Sequence, residues 1–314
     1  MMKTAILDAK TLGDDLSLDI FGKDAKIYAT TEPSEVAERV ADSQVVIVNK
    51  IRLNRSNLDN AVKLKLICVA ATGYDNIDLE YCKSRGIAVC NVKGYSTHSV
   101  AQTTVMMALS LIMHEREYCR FVEKGDYTKS GVANRLSPVY HELLGKTWGI
   151  VGLGNIGKQV ARVAEAFGCR VLAFKRTPDK DFECVTLSEL MEKSDIISVH
   201  LPASDETCGI ISKDMISRMK KDAILINVAR GIVTDEEALC NAILEGKIAG
   251  IGVDVYSKEP FGEDHPYNKI MDRDNVLLTP HIAWGAYESR VRCIEEIKKN
   301  IESFEKGEMR NRIV

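Results

Sequence analysis

The sequence has no long apolar run, no paired cysteine motif and no excess of positive charge. None of its 314 residues belongs to a stretch approaching the roughly 18 apolar residues that a membrane-spanning helix needs. Nine cysteines are scattered without a C-x-x-C pair, which predicts reduced thiols that fill the core. A formal charge of −3 argues against non-specific nucleic-acid binding. We therefore expect a cytoplasmic protein without membrane, nucleic-acid or metal partners.

The most specific motif present is the glycine run at 152–157, GLGNIG, which follows the apolar stretch 148–151. A strand, a glycine turn and a helix in this order are typical of a dinucleotide site. Gly152 would make the tight turn, Gly154 would admit the pyrophosphate, and Gly157 would let the helix pack on the strand. The phosphates would lie at the helix N-terminus, where backbone N–H groups are available.

Short apolar runs alternate with helical segments along the whole chain. Ten runs are predicted to form strands, at residues 3–8, 45–48, 66–70, 87–92, 148–153, 170–174, 195–201, 223–229, 248–255 and 275–279. The first of them is typical of a strand rather than of a signal peptide. This alternation predicts an α/β fold with doubly wound parallel sheets covered by helices on both faces.

Two longer helices suggest how the domains connect. A helix predicted over 99–124 would bridge two domains, and one over 288–306 would return to the first domain. The predicted substrate domain is 1–98 with 286–314, and the dinucleotide domain, 99–285, is inserted into it. We expect a cleft between them, where ligands of open α/β folds commonly bind.

Three polar residues follow predicted strands of the dinucleotide domain, namely Arg230, Glu259 and His281. An Arg can hold a carboxylate bidentately, and a His can exchange a proton with the substrate oxygen during hydride transfer. A Glu beside that His would orient it and favour its charged form. The alternative is that the Arg and Glu are solvated and that the His is an ordinary surface or core residue.

The segments around these residues resemble the D-isomer-specific 2-hydroxyacid dehydrogenase family over essentially the whole chain. The resemblance rests on GLGNIG followed in order by NVARGIVTDEEAL (227–239), GVDVYSKEP (252–260) and LLTPHIAWGAYESR (277–290). It implies a Rossmann-type dinucleotide domain inserted into a flavodoxin-like substrate domain. It also implies an NAD(P)-dependent oxidoreductase acting on a CH–OH group, with Arg230, Glu259 and His281 as the catalytic set.

The resemblance further implies residues that bind the substrate. Thr72, Gly73 and Tyr74 would offer backbone donors to its carboxylate, although an ordinary strand-to-helix turn is compatible with the same residues. Lys50 would reach a substrate hydroxyl or carboxylate, or else face solvent. Trp284 would wall the substrate pocket, or else serve packing.

Cofactor contacts are implied in the same way. Asp254 matches the residue that contacts the nicotinamide amide, and Thr104 matches a contact on the long helix. Asn155 and Ile156 match pyrophosphate positions. The full implied set is Thr104, Gly152, Gly154, Asn155, Ile156, Gly157, Pro202, Thr207, Val228, Arg230, Asp254 and His281.

Within the family, the sequence most resembles glycerate dehydrogenases, also called hydroxypyruvate reductases. This rests on VIVNK (46–50), AATGY (70–74), GYSTHSVAQ (94–102) and HIAW (281–284). The expected reaction interconverts hydroxypyruvate or glyoxylate with D-glycerate or glycolate. A dehydrogenase for D-lactate or a longer 2-hydroxy acid, and a nucleotide-sensing module of corepressor type, are the alternatives.

Lys175 and Arg176 depart from the pattern of NAD-specific relatives, which carry an acidic residue about 20 positions beyond the glycine turn. These cations would neutralise a 2′-phosphate, to which Thr177 would donate, so we expect NADP to be preferred over NAD. The alternative is that they are solvated and that NADH binds through its ribose. Asp179 and Asp181 weaken the local positive field and keep that alternative open.

Residues 125–144 carry more apolar side chains than a simple connector can bury, including Tyr127, Val132, Leu136 and Val139. Together with the long helix before them, they predict a homodimer, because identical chains favour two-fold self-complementary contacts.

Overall fold

A computed structural model describes residues 2–314, which form two compact units. The terminal unit comprises the chain up to Ser96 together with Trp284–Val314, and the central unit comprises Thr97–Ala283. The predicted roles of these units in binding substrate and dinucleotide stay predictions at this point.

Strands and helices alternate along most of residues 2–314. Up to Ser96 they are β1 (Thr4–Ile6), β2 (Lys26–Ile27), α1 (Val36–Val40), β3 (Val45–Val48), α2 (Arg55–Leu58), β4 (Leu66–Val69), α3 (Leu79–Ser84) and β5 (Ala88–Cys90). The central unit begins with α4 (Thr97–Ile112), α5 (Glu115–Glu123), α6 (Asp126–Ser130), β6 (Thr147–Val151), α7 (Asn155–Ala166), β7 (Arg170–Phe174) and β8 (Glu183–Cys184). It continues with α8 (Leu187–Lys193), β9 (Ile196–Val199), α9 (Lys213–Ser217), β10 (Ile224–Asn227), α10 (Glu236–Leu244), β11 (Gly250–Val253) and β12 (Val276–Leu278). The long helix α11 (Tyr287–Glu305) follows in the terminal unit.

The described part of the terminal unit contains a five-stranded parallel sheet in the order β2-β1-β3-β4-β5. Its strand residues alternate between two apolar clusters. One face packs with Cys293 and Ile297 of α11, and the other packs with Val36 and Val40 of α1. Because both faces are covered, the strands β3, β4 and β5 are apolar without interruption, as in the buried run Val45–Val48.

One edge of this sheet is covered by the chain after α11. Arg312 pairs with Cys90 in an antiparallel bridge. The N–H of Ile313 donates to the carbonyl of Val89 at 2.8 Å, and the N–H of Val89 donates to the carbonyl of Val314 at 3.2 Å. The β5 edge is thereby partly paired within the chain.

The central unit, all of which the structure describes, has a seven-stranded parallel sheet in the order β12-β11-β10-β9-β6-β7-β8. Helices α4 and α7 pack on each other and against the sheet. From β6 the chain adds β7 and β8 on one side, and it then returns to add β9 and the later strands on the other side of β6. The glycine turn follows β6. This is the switch point at which open α/β sheets bind ligands. The two parallel sheets with their helices confirm the predicted fold class.

The predicted helix at 99–124 is wrong in one respect, because the structure divides it into α4 and α5. His114 between them has a left-handed backbone with φ of 52°. A helix cannot continue through a residue in that conformation, and no glycine or proline announces the break. The terminal helix agrees with its prediction to within one residue at each end.

Two further differences concern strands and cysteines. The two-residue strands β2 and β8 were not predicted, because they are too short to show an apolar pattern. The cysteines are free thiols, but Cys119 and Cys208 are exposed, so the prediction that cysteines fill the core is wrong for these two. None of the helices in the described residues is long and apolar enough to cross a membrane.

Candidate active site

Arg230, Glu259 and His281 follow β10, β11 and β12, which are neighbours in the central sheet. Since these strands are parallel, their carboxyl ends lie at one edge of the sheet. The three polar residues therefore come from adjacent loops at that edge.

Glu259 and His281 are in direct contact, with Glu259 Oε2 2.6 Å from His281 Nδ1. The other carboxylate oxygen of Glu259 accepts the backbone N–H of Tyr256 at 3.0 Å. A carboxylate beside Nδ1 selects the tautomer of the neutral ring that carries its proton on that nitrogen. The pairing fixes both the orientation of the ring and its tautomer.

The backbone of His281 has a φ of 53°, in the left-handed region that residues other than glycine rarely adopt. The fully buried Asp254 supports this turn. Its Oδ1 accepts the Thr279 hydroxyl at 2.5 Å and the Ile282 N–H at 2.8 Å, and its Oδ2 accepts the Ala283 N–H at 2.9 Å. Burial raises the pKa of Asp254, which these three donors oppose. Its implied contact with the nicotinamide amide stays a prediction, whereas its support of the His281 turn is observed.

Asn227 at the end of β10 organises the turn that carries Arg230. Its amide donates to the Arg230 carbonyl at 2.9 Å and to the Thr234 hydroxyl at 3.1 Å, and its oxygen accepts the Ala229 N–H at 3.0 Å. The Arg230 guanidinium donates to the Ala229 carbonyl at 2.8 Å. This turn is therefore fixed by a side chain that is itself buried.

Gly231 brings the Arg230 turn against the loop that carries Glu259. A Cβ at this glycine would lie 1.9 Å from the carbonyl carbon of Tyr256 and 2.1 Å from the nitrogen of Ser257. Only a residue without a Cβ allows the two backbones to approach so closely. The positions of Arg230 and Glu259 are thus coupled through backbone packing.

The glycines of the 152–157 turn occupy three different environments. Gly152 has a φ of +99°, and a Cβ on Gly157 would lie 2.3 Å from the carbonyl oxygen of Gly152. Apart from Gly154 itself and its neighbours along the chain, no heavy atom of the described residues lies within 4 Å of the position that a Cβ on Gly154 would take. Packing within the protein therefore accounts for Gly152 and Gly157 but leaves space at Gly154, which fits the close approach of a pyrophosphate.

Helix α7 begins directly after Gly154, at Asn155. The first backbone N–H groups of an α-helix have no partner within the helix, and its dipole favours anions at this end. No side chain caps these groups, because the N-cap position is Gly154. The predicted contacts of Asn155 and Ile156 with the pyrophosphate fit this arrangement and stay predictions.

Other implied cofactor positions have partners within the central unit. Thr207 donates its hydroxyl to the Pro202 carbonyl at 2.6 Å, which closes the loop after β9. Thr104 is fully buried, and its hydroxyl donates to the Val100 carbonyl at 2.8 Å within α4. Val228 is buried directly after β10. The structure brings Pro202 and Thr207 together, and the cofactor contacts of all four residues stay predictions.

Lys175 and Arg176 follow β7, and both form ion pairs. Asp179 Oδ2 lies 3.2 Å from the ammonium nitrogen of Lys175. It lies 2.7 Å from the ammonium nitrogen of Lys158, which belongs to the first turn of α7. Arg176 contacts Glu206 at 3.0 Å in an exposed pair. The hydrogen bond from Lys158 lowers the pKa of Asp179 to about 2, assisted by the Asp181 N–H and Lys175. Asp179 is therefore ionised at neutral pH.

In the terminal unit, the turn predicted to bind a carboxylate follows β4. Thr72 and Tyr74 are exposed and Gly73 is half-buried. The Thr72 hydroxyl donates to the Val92 carbonyl at 2.8 Å, and the Asn91 amide donates to the Thr72 carbonyl at 2.7 Å. These bonds fix the turn, while its contact with substrate stays a prediction.

Lys50 lies in a loop that a buried carboxylate holds. Asp8, two residues after the end of β1, accepts the N–H groups of Asn49 at 2.9 Å, Lys50 at 2.6 Å and Ile51 at 3.3 Å. Burial raises the pKa of Asp8 against these hydrogen bonds. Trp284 packs edge-on against Tyr95 with ring centroids 6.3 Å apart, so its packing role is observed and its role in a pocket stays a prediction.

Asp8, Lys158, Glu236 and His265 were not among the site residues predicted from the sequence. Asp8 carries a signal like that of Arg230, because each is a polar residue two or three positions after the end of an apolar strand. Glu236 lies in the first turn of α10, where acidic residues are common for reasons unrelated to a site. Its contacts with the Glu259 loop depend on tertiary structure that the sequence pattern does not contain.

The different environments of Gly154 and Gly157 lead to opposite expectations for two alanine variants. Gly154→Ala should keep the melting temperature, since the added methyl meets open space and φ of −85° suits alanine. It should weaken the binding of NADH and NADPH at least about tenfold, measured by fluorescence titration. Gly157→Ala should lower stability by about 1–3 kcal/mol, because its methyl meets backbone. Unchanged cofactor affinity in Gly154→Ala would show that no pyrophosphate approaches this residue.

Comparison with known proteins supports one family throughout. The sequence profile of the NAD-binding domain of D-isomer specific 2-hydroxyacid dehydrogenases matches residues 105–283. Glycerate dehydrogenase of Methylorubrum extorquens is 34% identical over 98% of each chain. Glyoxylate reductase of Pyrococcus horikoshii is 35% identical over 96% of this chain and 90% of its own.

Solved structures agree with these sequence matches. D-lactate dehydrogenase from Aquifex aeolicus, complexed with NAD and lactic acid, superposes with a TM-score of 0.84 at 32% identity, covering 97% of this chain and 96% of its own. An acyclic imino acid reductase in complex with NADPH and D-Arg superposes with a TM-score of 0.86 at 28% identity, and the match covers all of both chains. The chain therefore belongs to the D-isomer-specific 2-hydroxyacid dehydrogenase family, oxidoreductases that act on a CH–OH group with a nicotinamide cofactor.

Proposed function

We propose that the protein reduces small 2-oxo acids to D-2-hydroxy acids, with hydroxypyruvate or glyoxylate as substrate and D-glycerate or glycolate as product. The observation that carries this proposal is the contact of Glu259 with His281 at the sheet edge that also carries Arg230. The names of the relatives, glycerate dehydrogenase and glyoxylate reductase, support the choice of substrate.

In the proposed reaction, Arg230 binds the carboxylate and the carbonyl oxygen of the 2-oxo acid through its planar guanidinium. A bound reduced nicotinamide supplies the hydride. His281 donates a proton from Nε2 to the carbonyl oxygen, so that one hydride and one proton together convert the C=O into CH–OH. Glu259 stabilises the imidazolium that precedes this transfer and holds the ring in position. In the oxidation direction, His281 accepts the proton instead.

For the terminal unit, we propose that the turn of Thr72, Gly73 and Tyr74 donates backbone N–H groups to the substrate carboxylate. Its fixed conformation supports this role, because donors held in place before binding lose little entropy. Lys50 is proposed to contact a substrate oxygen, and Trp284 to shape the pocket.

For the cofactor, we propose a preference for NADPH over NADH. Lys175 and Arg176 stand where NAD-specific proteins of this fold place a carboxylate, and such a carboxylate would repel a 2′-phosphate. Lys158, with its ammonium 2.7 Å from Asp179, adds a further cation beside Lys175. A 2′-phosphate would compete with Asp179 for these ammonium groups, so Asp179 limits the preference.

We also propose a homodimer, in which residues 125–144 contact a second copy of the chain. The exposed apolar side chains concentrated there support this assembly, namely Tyr127, Val132, Leu136, Val139, Tyr140 and Leu144. Apolar patches of this kind commonly belong to protein interfaces. The free thiols support a reducing, cytoplasmic location.

The catalytic proposal predicts a specific loss of turnover when His281 is replaced. His281→Ala should lower kcat for hydroxypyruvate or glyoxylate by about 10²–10⁴-fold, since it removes the proton donor, and should leave the affinity for the reduced cofactor nearly unchanged. His281→Asn is the matched variant, because asparagine tolerates the left-handed backbone, and it should lose the same activity. A panel of 2-oxo acids compared by kcat/KM tests the substrate assignment. Near-normal turnover in both variants would remove His281 from the mechanism.

The cofactor proposal predicts that Lys175→Asp combined with Arg176→Ser shifts selectivity towards NADH, measured as the ratio of kcat/KM values for the two cofactors. Arg170→Ser is the control, because it removes a cation from the other end of β7 and should leave the ratio unchanged. The proposal fails if the unmodified enzyme already has the higher kcat/KM with NADH.

The dimer proposal predicts a mass of twice the chain mass of 34.9 kDa by light scattering at micromolar concentration. Leu136→Asp, at a side chain that is 74% exposed, should yield monomers. Val62→Asp, at a residue that is 78% exposed in the terminal unit, should not change the mass. A monomer of unmodified protein under these conditions is the contradicting result.

A further inference from the structure

Glu236, in the first turn of α10, makes contacts that helix formation does not require. Its side chain is only 10% exposed. Its Oε1 accepts the backbone N–H of Ser257 at 2.9 Å, and its Oε2 accepts the Ser257 hydroxyl at 2.5 Å. The neighbouring Glu237 is exposed. Glu236 thus attaches the loop after β11 to α10 through both of its oxygens.

His265 completes this attachment. Its Nδ1 accepts the backbone N–H of Tyr267 at 3.3 Å, so the neutral ring carries its proton on Nε2. That Nε2 lies 3.1 Å from Glu236 Oε2 and is therefore the donor. The imidazole is 7% exposed and lies among the rings of Tyr256, Phe261 and Tyr267, with centroids 5.9, 4.6 and 4.9 Å away. Aromatic packing thus limits the movement of the residue that fixes Glu236.

The attached loop is the one that orients Glu259. Ser257 follows Tyr256, whose N–H donates to Glu259 Oε1, while Glu259 Oε2 contacts His281 Nδ1. The phenol of Tyr256 donates to the Thr279 carbonyl at 2.9 Å, two residues before His281. The contacts therefore run without interruption from His265 through Glu236 and the loop to the Glu259–His281 pair.

We propose that Glu236, held by His265, is a positioning residue that keeps Glu259 on His281 Nδ1. This inference rests on the proposed function only where activity is the measurement. Glu236 Oε1 accepts from the Ser257 N–H and Oε2 accepts from the Nε2–H of His265, so an amide NH₂ in place of either oxygen puts a donor against a donor and weakens the attachment of the loop. A shift of about 1 Å in a group that orients the proton donor costs up to about 10²-fold in rate.

The first test compares Glu236→Gln with Glu237→Gln, which removes the same charge from the same helical turn. Glu236→Gln should lower kcat about 10–100-fold and leave KM for the cofactor unchanged, because Glu259 but not the cofactor site loses its support. Glu237→Gln should retain the kcat of the unmodified protein. His265→Phe keeps an aromatic ring without the donor and should also lose kcat, whereas His265→Gln retains a donor and should lose less.

A double-mutant cycle separates positioning from a general structural role. If Glu236 acts through Glu259, Glu236→Gln should lower kcat by no more than about threefold in the Glu259→Gln background. A role in fold stability alone would give effects that multiply. Multiplying effects, or full kcat in both Glu236→Gln and His265→Phe, would overturn the proposal.

A measurement without substrate distinguishes failure of this inference from failure of the proposed function. Proton NMR of the cofactor-free protein should show a low-field Nδ1–H resonance from the Glu259–His281 hydrogen bond, assigned by its loss in Glu259→Gln. It should weaken or exchange faster in Glu236→Gln and persist in Glu237→Gln. If the resonance weakens in Glu236→Gln and persists in Glu237→Gln while the protein reduces no 2-oxo acid, the positioning role stands and the proposed function is wrong. If it is unchanged in Glu236→Gln, the positioning falls whatever the activity.

Discussion

The buried carboxylate of Asp254 is the group on which the geometry of the candidate site depends. Burying a charge is costly unless it is well hydrogen-bonded, and here three donors from the segment 279–283 supply the compensation. The same bonds hold His281 in a left-handed conformation that it would not adopt by itself. Because a carboxylate only accepts, it matches a loop that presents only donors to it.

The terminal unit uses the same arrangement at Asp8. In each unit an Asp at the end of one strand accepts donors from the loop after the neighbouring strand, β3 in one case and β12 in the other. Parallel strands make this possible, since their carboxyl ends lie side by side. Charge and hydrogen bonding therefore help to hold the loops that carry the candidate site residues Lys50 and His281.

Sequence reasoning identified what depends on local pattern and on the geometry of parallel sheets. Continuous apolar runs such as Val45–Val48 predicted the strands, and polar residues after strands predicted Arg230, Glu259 and His281. What it missed depends on tertiary contacts. The break at His114 has no glycine or proline to announce it, and the contacts of Glu236 arise only when α10 and the loop after β11 pack together. The ion pair of Asp179 with Lys158 likewise joins the loop after β7 to α7.

The short strands at the sheet edges have a consequence for aggregation. An edge strand presents unpaired backbone groups that another chain can extend, and long flat edges promote such growth. Strands β2 and β8 each offer only two residues at an edge, and residues 312–314 cover part of β5. The β12 edge is three residues long. Intermolecular β-pairing thus has little backbone to start from on either sheet, which protects a chain of many buried parallel strands from amyloid-like assembly.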